Sequence, residues 1–154
     1  MKNRNLYEYL EALNSVSELK GVKFAFTVIK NKKKLEEELK NLEEAIKASE
    51  EFTSYENQRI QLCNVHSEKD DNGQPIIENN RFKIIDLNKF DEELNSLKAN
   101  YLEIISDREK QINEYNQLLN EDCSLVLSKL NFEDLPQEIT TQQLETIDFM
   151  INFD

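Results

Sequence analysis

Arg59, Cys63, His66 and Asp70 follow one another at steps of four, three and four, so on a continuous helix they share one face. His66 is the only histidine of the chain. Cys63 and His66 could both point at one metal ion, with Asp70 as a third, oxygen ligand where the helix end curls back. The same pair could instead make a nucleophile, because an imidazolium and the Arg59 guanidinium would lower the thiol pKa. Against both stands packing: Cys63 continues an apolar stripe, where a small thiol is ordinarily a core residue. The packing reading is preferred. No catalytic residue, metal or cofactor is assigned, and Cys63, His66 and Asp70 stand only as the candidates for a metal.

Anion binding is the other chemistry on offer. Lys30, Lys32, Lys33 and Lys34 form a basic run, and Arg59 and Arg108 are further candidate anion contacts. The run is followed at once by Glu36, Glu37 and Glu38, at a spacing suited to i,i+4 pairs, which predicts a solvated, self-neutralising face. No aromatics interleave it to stack bases. Gly21 and Gly73 are the only glycines, which excludes a Gly-rich phosphate loop, and no Cys-x-x-Cys, His-Glu-x-x-His or Gly-x-Ser-x-Gly occurs.

The elements that must position these residues are two long amphipathic segments. Leu35, Leu39, Leu42, Ile46 and Ser49 alternate steps of four and three, and so do Phe90, Leu94, Leu97, Tyr101 and Ile104, continuing through Arg108, Ile112, Tyr115 and Leu119. The simplest arrangement is an antiparallel helical hairpin burying the two stripes on each other. Placing Cys63 opposite Leu94 makes facing residue numbers sum to about 157. Arg108 then faces Ser49, whose small side chain leaves the guanidinium room to reach Glu50 or Glu103.

Along the chain, residues 1–20 read as an N-terminal helix. Val22–Ile29 fits either a strand or a helical face; helix is chosen because no Gly, Pro or Asn-Gly signal separates Ile29 from Leu35. The first long helix is therefore set at 22–67, with a bend or interruption expected in so long an element. Asp71-Asn72-Gly73-Gln74-Pro75 is a turn by its chemistry. A short β-ribbon follows at 74–86, with Asp86 or Asn88 capping a second long helix at 88–120. Residues 123–130 read as a third strand that could join the ribbon. Thr140 to Gln143 has capping-box form before a final helix at 141–152.

The expected fold is thus mainly α with a small β element, a coiled-coil-like hairpin in one domain over 1–154. Gly and Pro together fill four positions and 32% of residues are charged, which favours helix over barrel or sandwich. Two distant cysteines give no disulfide framework. No apolar run is long enough to span a bilayer and no leader pattern is seen, so a soluble, cytoplasmic protein is expected. The net charge of −12 disfavours nucleic acid and anionic membrane as partners. It is unevenly spread: residues 1–34 carry eight basic and three acidic side chains, or +5, and residues 35–154 carry eleven and twenty-eight, or −17. The acidic part would attract basic proteins.

The order of these signals resembles small acidic proteins of tailed phages and prophages, a group without an established activity. The similar features are the Lys-rich lead-in to a helix ending in Leu42-Glu43-Glu44-Ala45, the Glu68-Lys69-Asp70-Asp71-Asn72-Gly73 turn and the Phe90-Asp91-Glu92-Glu93-Leu94 helix start. Leu135-Pro136 and the Leu144 to Ile151 segment are also similar. The resemblance implies a location in the bacterial host cell or the virion, and brings no catalytic residue. The leading expectation is a non-enzymatic protein that binds another protein, as an inhibitor of a host factor or defence component. The alternatives are a virion structural or assembly protein forming a homo-oligomer, and an anion- or nucleotide-sequestering oligomer.

Overall fold

A computed structural model describes residues 1–153. The protein is mainly α with a small β element. Among the described residues the helices are α1 (Leu6–Ser15), α2 (Val22–Ile46), α3 (Glu50–His66), α4 (Leu87–Asn100), α5 (Leu102–Asn120) and α6 (Thr141–Thr146). The strands are β1 (Ile77–Glu78), β2 (Arg81–Phe82), β3 (Leu130–Asn131) and β4 (Ile151–Asn152). Val22–Ile29 is helical. Where composition suggests one domain, the chain divides into two compact units, one of residues 1–46 with the chain from Glu114 onward and one of Lys47–Asn113.

The first unit holds the larger core. Leu6 and Leu13 of α1 and Phe24, Val28, Leu35, Leu39 and Leu42 of α2 are buried with Leu130, Ile147, Met150 and Ile151. Each fully buried aliphatic side chain stabilises the unit by about 1.5–3 kcal/mol before entropy is counted. The α2 stripe is therefore covered chiefly by α1 and the C-terminal segments, together with Tyr115, Leu118 and Leu119. The N-terminus is clamped to the end of α5: Asn3 Nδ2 donates to Leu118 O at 2.8 Å, and Cys123 N donates to Met1 O at 2.7 Å.

Two C-terminal expectations are corrected. Residues 123–129 have no regular secondary structure and do not join β1 and β2; only Leu130–Asn131 is strand, paired in parallel with Ile151–Asn152. Their backbone groups are taken by side chains of α2 instead. Asn31 Nδ2 donates to Ser128 O at 2.9 Å, Ser128 N donates to Asn31 Oδ1 at 2.8 Å, and Lys34 Nζ donates to Val126 O at 2.6 Å. The final helix begins at the expected capping box on Thr140 and Gln143, yet it stops at Thr146 rather than 152. Thr146 Oγ1 donates to Gln143 O at 2.8 Å, the β-branched Thr146 and Ile147 favour helix weakly, and Ile151 is committed to β4.

The second unit is the helical hairpin. The rings of Tyr55 and Tyr101 meet, as do those of His66 and Phe90, while Gln111 Nε2 donates to Lys47 O. These pairs sum to 156, 156 and 158, the register that the stripes predict. Neither long helix is continuous. The expected 22–67 helix ends at Ile46 and restarts at Glu50 because Ser49, extended at ψ 161, caps α3 by accepting from Phe52 N at 3.1 Å. The expected 88–120 helix breaks at Tyr101, whose φ of −125 and ψ of 19 separate α4 from α5. Asp86 caps α4 through Lys89 N.

Between α3 and α4 lies a small folded tip. β1 and β2 pair in antiparallel register through Asn79 and Asn80, both at positive φ (49° and 61°), as a two-residue hairpin turn demands. The third partner of this ribbon is local: Ser67 bridges Ile84, Lys69 bridges Pro75, and Glu68 N donates to Lys83 O at 2.8 Å.

Candidate functional site

The face that carries Arg59, Cys63, His66 and Asp70 in the sequence does not converge in space on a metal. Cys63 is buried. His66 Nε2 lies 3.1 Å from Glu93 Oε2, with its ring edge-on to Phe90. Asp70 closes the turn instead: its Oδ1 accepts from Asn72 N at 2.9 Å and from Gln74 N at 2.8 Å. Arg59 makes a bidentate pair with Glu56 at 3.0 and 2.8 Å, which raises its pKa above the usual arginine value. Among the described residues no group of three or more His, Cys, Asp or Glu is placed to hold a metal.

The candidate anion contacts fall in different units. Lys30, Lys32, Lys33 and Lys34 belong to the first unit, and Arg59 and Arg108 to the second. The Arg108 guanidinium donates to Gln111 Oε1 at 2.6 Å and lies 5.6 Å from the centroid of Phe52, beside Ser49 in a shallow cleft of about 290 Å³. The expected neutralisation of the lysine run is corrected as well. Among the described residues, Lys40 with Glu44 at 3.9 Å is the i,i+4 ion pair of α2, and Glu36, Glu37 and Glu38 pair with no lysine. On an exposed face, the entropy of holding two long side chains together cancels most of the attraction.

Elsewhere the perturbed groups are structural. Tyr55 is raised above the ordinary tyrosine value, first by burial and then by the charge of Glu56. Tyr7 is raised by donating to Glu43 Oε1 at 2.9 Å, and Lys83 is raised by its bond to Glu68.

A surface that residue spacing does not single out is the tip of the second unit. Val65, Ile77, Ile85 and Leu87 are all more than half exposed there. Val65 sits about 200° round α3 from Cys63, hence on its outward side. Ile85 is held beside it, donating its N–H to His66 O at 3.0 Å. The signal that could have found them is apolar residues left over once the hairpin stripe is filled. Asp86, Asp91 and Glu92 follow at the start of α4, and among the described residues none has a cation within ion-pair distance.

Among the described residues no helix is long and apolar enough to cross a membrane. Compared with protein-family models, with curated proteins and with solved structures, the chain matches none.

Proposed function

We propose that this chain is a non-enzymatic phage or prophage protein that acts by binding another protein, and more narrowly that it inhibits a host factor or defence component. The observation that supports this reading is the tip: four large apolar side chains, Val65, Ile77, Ile85 and Leu87, are presented to solvent on a segment fixed by its own backbone hydrogen bonds. Exposed apolar groups on a rigid frame suit a protein interface. The carboxylates of Asp86, Asp91 and Glu92 beside it, which no cation neutralises among the described residues, would steer a basic partner. The phage assignment is supported by the resemblance of the turn and helix-start motifs. The test is a tagged pull-down from phage-infected host cells with mass spectrometry of the bound proteins, comparing the natural chain with Val65→Asp/Ile85→Asp.

A second reading, a self-associating virion or assembly protein, is favoured by a separate observation in the first unit, where α2 and the C-terminal segment leave apolar residues uncovered. Sequestration of an anion is not favoured, since two of the candidate cations are already engaged, Lys34 by Val126 O and Arg59 by Glu56.

A further inference from the structure

The first half of α2 is apolar on two opposite sides. Phe24, Val28 and Leu35 face the core, whereas Val22, Phe26 and Ile29 are 92%, 67% and 54% exposed. At 100° per residue the exposed three lie within about 60° of one another and nearly opposite the buried set. Their spacing of i, i+4 and i+7 is that of a helix docking into a groove. Lys20, Lys30, Lys32 and Lys33 surround them, and among the described residues no carboxylate lies within ion-pair distance of any of the four. In a chain of net charge −12, that is a local basic patch, bordered at its C-terminal end by Glu36 and Glu37.

The complementary surface is in the same unit. Phe132 and Phe153, 66% and 71% exposed, line an open groove of about 600 Å³ with Asn131, Glu133 and Asn152. Residues 132–148 include Glu133, Asp134, Glu138, Glu145 and Asp148 and no basic side chain. Only Asp134 of these is paired, and its partner joins the two surfaces: Lys23 Nζ of α2 lies 2.6 Å from Asp134 Oδ2. The segment 126–134 runs antiparallel along α2, from Val126 at Lys34 through Ser128 at Asn31 to Asp134 at Lys23. The basic-apolar stripe and the Phe132–Phe153 groove are therefore neighbours on one unit, as a self-complementary two-fold interface requires.

We propose that two copies of this chain associate through that self-complementary surface, with Val22, Phe26 and Ile29 of one copy entering the Phe132–Phe153 groove of the other and Lys30 and Lys33 meeting Glu133. The pairing deepens the second reading above and does not depend on the tip. A bilayer is the poorer occupant, because three apolar residues over two turns bury little and the whole chain is repelled by anionic lipid.

Sedimentation of the full chain over a concentration series tests this. The natural chain is expected to form a dimer that weakens as salt rises. Phe26→Asp, at a solvent-facing position, is expected to be monomeric, with an unchanged melting temperature at dilutions where the natural chain is itself monomeric. Lys30→Glu/Lys33→Glu and Glu133→Lys, each alone, are expected to raise the dissociation constant about tenfold or more. An equimolar mixture of those two variants should regain the dimer, because both contacts are then oppositely charged again. Val65→Asp/Ile85→Asp should remain dimeric, which separates this pairing from the tip reading. A natural chain that stays monomeric throughout, a dimer indifferent to all three unit-one variants, or a monomer that co-sediments with phosphatidylserine vesicles would each overturn the proposal.

Discussion

The rings of Tyr55 and Tyr101 lie 5.5 Å apart between centroids, tilted by 47°, and join α3 to the residue at which α4 gives way to α5. Tyr55 is one of only two buried residues of α3, so much of the hairpin's packing rests on this ring. Tyr55→Ala is expected to lower stability by about 3 kcal/mol, read as a shifted denaturation midpoint. The phenol adds a pH dependence. Its pKa is raised in the folded chain from an unfolded value of about 10. That stabilisation is complete below pH 10 and is lost as pH rises through the folded value. Tyr55→Phe should keep the ring packing and reduce this alkaline loss, leaving the parts due to Tyr7, Lys83 and Arg59.

Asn31 is fully buried and uses both ends of its amide on the backbone of Ser128, at 2.9 and 2.8 Å. Asn31→Ala leaves the N–H and C=O of half-buried Ser128 without their side-chain partner and should cost about 1–3 kcal/mol. Asn31→Asp keeps the acceptor but sets a carboxylate against Ser128 O, and should cost more at neutral pH than at low pH, where a protonated carboxyl can donate. Urea denaturation at the two pH values distinguishes the pair.

The hairpin register, the Asp71–Pro75 turn, the β-ribbon and the Thr140 capping box were legible because each depends on residues close together or on a strict period. Asn31 was not. It sits inside a lysine run, and its role depends on a segment 97 residues away. The strand expected over 123–130 failed for the same reason: alternation does not report whether another strand or the side chains of a helix will bind the segment. The i,i+4 pairs expected between Lys32–Lys34 and Glu36–Glu38 failed on energetics, since exposed pairs barely repay the entropy they cost. At the candidate site, helical spacing correctly put Cys63 on the buried face, while Asp70 lay beyond the helix end in a turn of its own.

The two thiols should differ. Cys63 is buried in the hairpin and Cys123 is half-buried, with its sulfur 3.4 Å from Leu125 N. An aromatic disulfide reagent should modify Cys123 in the native protein, and Cys63 only at the rate at which the hairpin opens. Added zinc should leave the melting temperature unchanged, because His66 is engaged by Glu93 and Asp70 by its turn. A zinc-dependent rise that Cys63→Ser abolishes would contradict this.

Asn79 and Asn80 hold positive φ in the ribbon turn. Asn80→Gly should be neutral or slightly stabilising, whereas Asn80→Val should cost about 1–2 kcal/mol and loosen the tip. Amide exchange at Lys83, whose N–H donates to Ile76 O at 2.9 Å, reports it directly.

Whether the tip of the second unit binds a partner protein is read from a quantitative pull-down with the natural chain and Val65→Asp/Ile85→Asp side by side. The account predicts a protein recovered in stoichiometric amount with the natural chain and lost with the double variant, whose melting temperature and dimerisation are unchanged. Equal recovery of the same proteins by both chains, or no protein bound by the natural chain, would contradict it.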